Sequence, residues 1–217
     1  DTRYSSSDLS NASVSNTTSR NYYLSSEILA RYTATIGDHD FGVLFGYSAM
    51  EYRTWGWGVS KQGATDWTLN DLGTYETLSG SSSTAKNGWG LRSYFGRINY
   101  AYKNRYLFEA NLRADGSSRF GSNNRYGIFP SFSAGWKIHE ERFMEGTEDW
   151  LSNLKLRASW GKAGNNQGIG NYAWQAVYAT QNVVVDGAGS KGLYISSLSN
   201  ADLKWETPAT TDIGLDM

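Results

Sequence analysis

Apolar and polar side chains alternate with a period of two along the stretch from Ser93 to Ile138. Neighbouring side chains of a β-strand point to opposite sides, so this period predicts three successive strands, each with one apolar and one polar side. Leu107 is the exception, an apolar residue on the polar side. The predicted apolar side consists of Tyr94, Ile98, Tyr100, Tyr102, Tyr106, Phe108, Ala110, Leu112, Ala114, Ile128, Phe132, Ala134, Trp136 and Ile138.

The same alternation continues before and after this stretch and predicts seven neighbouring antiparallel strands of one curved sheet. Their predicted bounds are Tyr22–Ile36, His39–Tyr52, Leu91–Lys103, Asn104–Ala114, Arg125–Ile138, Leu151–Lys162 and Leu203–Met217. The segment from Tyr172 to Val185 is rich in residues that favour strands, which leaves room for an eighth or ninth strand. Five aromatic side chains are expected to point outward: Tyr100, Tyr106, Phe108, Phe132 and Trp160.

The length of these strands favours a membrane protein. Strands of soluble sandwiches average about five or six residues, whereas strands of about ten residues with an apolar outside and a polar inside are typical of outer-membrane barrels. Mean hydropathy is −0.54, and the chain contains no apolar run of about 18 residues, so a membrane role requires a barrel. We therefore predict an all-β fold, an antiparallel transmembrane β-barrel, present here as a partial sheet of about seven to nine strands.

The predicted connections differ in length, as the two sides of an outer-membrane barrel do. Short turns at Gly37-Asp38 and Lys103-Asn104 are expected to be periplasmic, and the long segment 53–91 is then extracellular because each strand crosses once. The chain is thus expected to be a fragment of one barrel domain. Its expected parts are a loop at 1–21, a hairpin at 22–52, the extracellular loop at 53–91 and barrel strands at 92–217.

Composition argues against several functional classes. The chain has no cysteine, which removes disulfides and thiolate metal sites, and its net charge of −1 gives no footprint for nucleic acid. The two histidines, His39 and His139, are far apart and offer poor support for a catalytic triad or a multi-histidine metal site. The carboxylates from Glu140 to Glu148 are interpreted as a solvated acidic turn. No enzymatic activity, cofactor or metal is predicted.

Tryptophans in the predicted loop are the candidate ligand-binding residues. They could stack on sugar rings or be buried by a protein partner, and most of them could equally anchor the outer aromatic girdle of a barrel. The four residues are Trp55, Trp57, Trp67 and Trp89.

A second candidate set lies on the polar side of the strands. By alternation these side chains face the lumen, where they line a substrate path, hydrate the wall or pair with a plug. The set is Arg97, Asn99, Arg113, Asp115 and Arg157.

Several ordered motifs in the last two thirds of the chain resemble the barrel of SusC/RagA-type TonB-linked outer-membrane transporters. They are Arg97 to Tyr100, Arg113 to Phe120 (RADGSSRF), Phe129-Pro130-Ser131, Lys155 to Asn165 and Leu203 to Thr207 (LKWET). Several motifs in the family's order are a stronger signal than any single short pattern. Residues 1–90 match only in general character.

The resemblance implies a large barrel with a plugged lumen in the bacterial outer membrane. It also implies TonB-driven uptake of oligosaccharides or peptides, with TonB contacting a segment outside this chain and a SusD-like lipoprotein covering the extracellular face. Contact with outer-membrane lipid is expected. The alternatives are a passive porin-like channel and a carbohydrate-binding β-domain without active transport.

Overall fold

The computed structural model describes residues 11–64, 71–78, 83–147, 150–185 and 187–217. Strands account for most of these residues, and four short 3-10 turns lie at Leu72–Thr74, Ser122–Asn124, Ile138–Glu140 and Arg142–Met144. The strands are β1 (Ser13–Ile36), β2 (His39–Ala64), β3 (Tyr75–Leu78), β4 (Ser83–Tyr102), β5 (Tyr106–Ser117), β6 (Tyr126–Lys137), β7 (Lys155–Lys162), β8 (Val177–Val185), β9 (Ala188–Ser197) and β10 (Ala209–Asp216).

Most strands form one sheet with the order β1, β2, β4, β5, β6, β7, β10, and β3 pairs with β2. The pairs from β4 to β7 and the pair of β7 with β10 are antiparallel, which confirms the predicted pairing. The chain divides into two compact units, Asp1–Leu24 with Glu51–Gly88 and Ser25–Met50 with Trp89–Met217. Among the described residues, no helix has both the length and the apolar character needed to cross a membrane.

The register of the sheet places the predicted apolar side chains on one face. Ile98 is opposite Ala110, which is opposite Phe132, which in turn is opposite Trp160. Of this row, Ile98 is 54% exposed and Phe132 is 54% exposed, so the face is not the core of a closed soluble domain. The predicted grouping of the aromatic side chains is therefore confirmed.

Aromatic pairs run across this face from strand to strand. The ring centroids of Tyr100 and Phe108 are 6.2 Å apart, and those of Phe132 and Trp160 are also 6.2 Å apart. Such cross-strand pairs stabilise a sheet beyond backbone hydrogen bonding, because large side chains on neighbouring strands remain in contact. Both members of the second pair are exposed.

Two predicted loops are corrected by the structure. β1 begins at Ser13 instead of Tyr22, and β2 continues to Ala64 through the first part of the segment expected to be a loop. β3 and the first part of β4 also lie within that segment. Most of the added positions are serine, threonine, glycine or charged residues, and only Trp55, Trp57 and Val59 alternate. Strand formation here depends on pairing with neighbouring strands more than on local composition.

The last predicted strand also begins later than expected, since β10 starts at Ala209 rather than at Leu203. Trp205 is instead buried against Phe120 and Phe129, and Leu203 packs on the same cluster. The segment 163–202 does contain its own hairpin, β8 with β9, as its composition indicated.

The turn between β4 and β5 has the backbone of a tight hairpin. Lys103 and Asn104 both have positive φ, 51° and 53°, which matches a type I′ turn. The Lys103 backbone N–H donates to the carbonyl of Asp38, at 2.7 Å, so this turn is tied to the neighbouring turn between β1 and β2. Both predicted short turns are present.

Candidate functional site

The polar face of the sheet carries the predicted lumen-facing residues. Arg97 is opposite Asn111, and Asn99 is opposite Glu109 one row further along. The second row continues through Ser133 and Ser159 to Asp212. The structure thus places Arg97, Asn99, Arg113, Asp115 and Arg157 on the same side of neighbouring strands. Their exposure to a transport lumen remains a prediction.

The guanidinium groups of this face are partnered. Arg113 donates through Nε to both carboxylate oxygens of Asp115, at 2.7 and 2.8 Å, and through Nη2 to Ser93 Oγ at 3.0 Å. Arg97 Nε donates to Asn111 Oδ1 at 2.7 Å. Because Asp115 and Ser93 are buried, the Arg113 contacts are screened less than ordinary surface pairs.

Arg157 has the most exposed side chain of the three arginines on this face. Its Nε lies 3.3 Å from Asp216 Oδ1, and the two side chains are 55% and 41% exposed. A pair with this exposure contributes little to stability. Breaking this ion pair should therefore cost the fold little.

A cavity of about 790 Å³ lies on this face, near the hairpin turns. Its lining includes Gly42, Ser133 and Ser159, which occupy little volume. Charged and polar groups of both signs surround it: Asp40, Asn99, Glu109, Lys155, Arg157 and Asp212. The arrangement offers hydrogen-bond donors and acceptors with no dominant charge, which suits a neutral or zwitterionic polar ligand.

At the other end of β5 the chain forms a packed cluster that we call the loop hub. It consists of the turn 117–121 together with the residues that contact it from β4, β6 and the segments 163–174 and 201–206. Phe120 is fully buried at its centre, with its ring centroid 5.0 Å from that of Trp205. Phe129 completes the apolar core at 5.4 Å from Trp205.

Glycine is required where the hub packs most tightly. A Cβ atom on Gly164 would lie 2.2 Å from Phe129 Cζ, and one on Gly127 would lie 2.4 Å from the same atom. Neither distance is possible without displacing the ring. The backbone thus approaches Phe129 from two segments that are distant in the sequence.

Sequence analysis did not identify the hub residues as a site. Arg119, Phe120 and Trp205 lie in the motifs that carry the family resemblance, RADGSSRF and LKWET, whereas Trp174 lies outside them. For the first three residues, their position in these motifs was the available signal. The structure shows that the motifs meet in space at one end of the sheet.

Three of the four candidate tryptophans lie in strands and not in a loop. Trp55 and Trp57 belong to β2, two positions apart on one face, and are 38% and 53% exposed. Trp89 belongs to β4 and has the Arg119 guanidinium 5.6 Å from its ring centroid. Trp67 lies outside the described residues. The expected loop position is therefore wrong for three of the four, because both strands extend into the segment 53–91.

The acidic turn after β6 was expected to be solvated, and this expectation is wrong for Glu141. Glu141 accepts hydrogen bonds from the Tyr106 hydroxyl at 2.5 Å, Trp136 Nε1 at 3.0 Å and Arg105 Nη1 at 3.1 Å. Its side chain is 13% exposed. The Tyr106 hydrogen bond, followed by those from Trp136 and Arg105, lowers the pKa of the Glu141 carboxyl.

This shift predicts a pH dependence of stability. A carboxyl whose pKa is lower in the folded state stabilises the fold above its unfolded pKa, and this contribution disappears as the pH falls through the folded pKa. We expect Glu141→Gln to lower the resistance of the protein to urea at neutral pH and to differ less from wild type in acid. Glu140→Gln is the matched control, since Glu140 is 43% exposed, and should have the smaller effect. An equal loss at both pH values would contradict the assignment.

Of the two histidines, one lies at a strand start and one in a 3-10 turn. His39 is the first residue of β2, with its Nδ1 2.8 Å from the Tyr100 hydroxyl, and His139 lies in the turn Ile138–Glu140. Within the part of the chain that the structure describes, no group of three or more potential metal ligands is found.

The family model described as TonB dependent receptor-like, beta-barrel, matches residues 1–217. SusC, a TonB-dependent receptor of Bacteroides thetaiotaomicron, is 37% identical over 205 residues, which are 90% of this chain and 19% of SusC. The TonB-dependent receptor P26 of Formosa agariphila is 41% identical over 153 residues, which are 68% of this chain and 15% of P26.

Solved structures agree with these relatives. A chain in the structure of the RagAB peptide transporter matches with a TM-score of 0.83 and 32% identity, covering 93% of this chain and 22% of that chain. The chain thus spans about a fifth of the length of its relatives. The resemblance carried by the ordered motifs is confirmed, and the chain belongs to the TonB-dependent receptor-like β-barrel family.

Proposed function

We propose that this chain forms part of the barrel wall of a TonB-dependent importer in the bacterial outer membrane. The observation that carries the proposal is a sheet with an exposed apolar face on one side and a polar face on the other. Ile98, Phe108 and Phe132 illustrate the apolar face, each at least half exposed. Lipid is the environment in which such a face is stable, and a sheet survives there only when its backbone groups are paired.

The polar face is the argument for a polar nutrient as the substrate. Its arginines are partnered by Asp115, Asn111 and Asp216, so charge of both signs is distributed along the wall. Such a surface hydrates well and can exchange hydrogen bonds with sugar hydroxyls or peptide groups. The substrate class that we propose is therefore oligosaccharides or peptides. The name of the RagAB peptide transporter supports the second of these.

The proposed partners are TonB and a SusD-like surface lipoprotein. TonB is named by the family model and by the SusC relative. The proposal for the lipoprotein rests on the similarity to SusC and to the RagAB structure. TonB would supply the energy for uptake, and the lipoprotein would cover the extracellular mouth.

Uptake by the full-length protein in cells with and without TonB tests this function. We expect a panel of labelled oligosaccharides and peptides to contain a compound whose accumulation requires both the protein and TonB. Entry that depends on the protein but proceeds equally without TonB would establish a passive channel instead. Binding of a carbohydrate by the protein without any protein-dependent entry would establish a binding domain.

A further inference from the structure

The chain makes a long excursion between β7 and β10, and the turn 117–121 contacts both of its limbs. The outgoing limb is the segment 163–174 and the return limb is the segment 201–208. Between them lies the hairpin of β8 and β9, which we call the arm (177–197). We propose that the turn 117–121 is a clamp that holds both ends of the arm and thereby keeps the hairpin of the arm closed.

Hydrogen bonds fix the outgoing limb. Arg119 donates through Nε to Asn171 Oδ1 at 2.9 Å and through Nη1 to the Asn166 carbonyl at 3.0 Å. Trp174 Nε1 donates to the Ser118 carbonyl at 3.1 Å, and Asn166 Nδ2 donates to Ser117 Oγ at 3.3 Å. Trp174 is the residue of this limb that lies nearest the arm, three positions before it begins.

Apolar packing fixes the return limb. Trp205 is buried against Phe120, and its Nε1 donates to the Arg125 carbonyl at 3.1 Å. Leu203 packs on the same cluster. The backbone at Ala201 also approaches the turn, since a Cβ on Gly121 would lie 3.1 Å from the Ala201 carbonyl oxygen. The two limbs are thus held by different chemistry on one turn.

The two limbs also pair with each other at Asn165 and Glu206. The Asn165 backbone N–H donates to the Glu206 carbonyl at 2.9 Å, and the reverse bond is 3.3 Å. This bridge joins the bases of the two limbs. The contacts of Arg119, Trp174 and Phe120 extend the restraint beyond the bridge, toward the arm.

The arm depends on such a restraint because it forms a two-stranded sheet apart from the main sheet. An isolated two-stranded hairpin is marginally stable at best in water. One of its faces carries exposed apolar side chains and gains little from burial within the chain: Tyr178, Val184, Leu193 and Ile195. Holding the two ends close together reduces the entropy cost of closing the hairpin, so loosening the clamp should raise the population of the open arm.

Trypsin reports directly on this opening. Lys191 is the single lysine or arginine between Ala163 and Leu203, so cleavage of the arm occurs at one place in the sequence. It lies in β9 opposite Asn182, and a protease requires the strand to open before it can cut. Fragments ending at Lys191 are identified by mass spectrometry.

The experiment uses the full-length protein in detergent and compares wild type with Arg119→Ala. We expect cleavage after Lys191 to be roughly tenfold faster in the variant, because two hydrogen bonds from a charged donor are lost. The barrel should still migrate as a folded species in heat-modifiable gels. Arg119→Lys keeps the charge without the planar fork and should recover only part of the protection.

Arg125→Ala is the matched control, since Arg125 lies beside the same turn with an exposed side chain and contributes its backbone carbonyl to the hub. It should leave cleavage at Lys191 unchanged. If Arg119→Ala does not assemble, Trp174→Phe, which removes a single N–H donor, decides by the same criterion. Unchanged cleavage in an assembled clamp variant, or an equal increase with Arg125→Ala, would overturn the proposal. Because transport is not measured, the result is independent of the proposed function.

Discussion

Replacing Phe120 by alanine should destabilise the loop hub by about 3–5 kcal/mol, the usual cost of removing a buried aromatic side chain. The ring is fully buried and contacts Trp205, and Phe129 lies in the same cluster. The backbone at Gly127 and Gly164 already packs closely against Phe129. We therefore expect little rearrangement to fill the resulting cavity. The loss should appear in urea unfolding of the full-length protein, followed by near-UV circular dichroism of the hub tryptophans.

Phe143→Ala is the control for this prediction. Phe143 lies in the turn between β6 and β7 and is 68% exposed, so its removal should change the urea midpoint little. The comparison separates burial from the mere loss of an aromatic ring. Equal shifts for the two variants would show that the hub contributes no specific packing energy.

Placing a lysine at Ile98 should cost the assembled barrel about 2–4 kcal/mol, the range for a basic residue near the bilayer midplane. Ile98 lies in the row with Ala110, Phe132 and Trp160 and is 54% exposed. In a membrane that exposure becomes contact with lipid, where the ammonium group has no water. The folded fraction after refolding into liposomes, read from heat-modifiable migration, measures the loss.

Asn99→Lys is the matched variant on the opposite face of the same strand. Asn99 is directly opposite Glu109, so a lysine there gains a nearby carboxylate in a hydrated setting. We expect a much smaller change in the folded fraction. Similar losses for both variants would mean that the two faces see the same environment.

Alternation predicted the two faces of the sheet well because the period of a strand is fixed by its backbone. Tyr100, Phe108 and Phe132 were placed on one side from the sequence, and the register confirms their grouping. The polar positions follow from the same rule. Leu107 remains the exception, since its register places it on the polar side opposite Ala101.

Strand ends could not be predicted in the same way. The first half of β1 is rich in serine and threonine and has no apolar period, and in the second half of β2 only Trp55, Trp57 and Val59 alternate before the pattern ends. In the structure Ser60 Oγ donates to Ser15 Oγ at 3.2 Å, and the Gly63 N–H donates to the Ala12 carbonyl at 3.0 Å. Such pairs depend on which strands are adjacent, and local composition does not encode that information.

The hub and the Glu141 cluster depend on contacts between distant residues. Trp205 packs on Phe120, more than eighty positions away in the sequence. Glu141 accepts a hydrogen bond from the hydroxyl of Tyr106 at the start of β5. From the sequence, Trp205 was assigned to a strand and Glu141 to a solvated turn. A buried position could be assigned only after the fold brought the partners together.

Spin labels at consecutive positions of β4 test most directly whether its residues face lipid and water in turn. Single cysteines are introduced from Gly96 to Tyr102 in a cysteine-free form of the full-length protein, labelled, and reconstituted into liposomes. We expect oxygen accessibility to peak at Ile98 and Tyr100, and accessibility to a water-soluble nickel chelate to peak at Arg97 and Asn99. Uniform accessibility to both reagents, or the opposite phase, would contradict the assignment of the two faces.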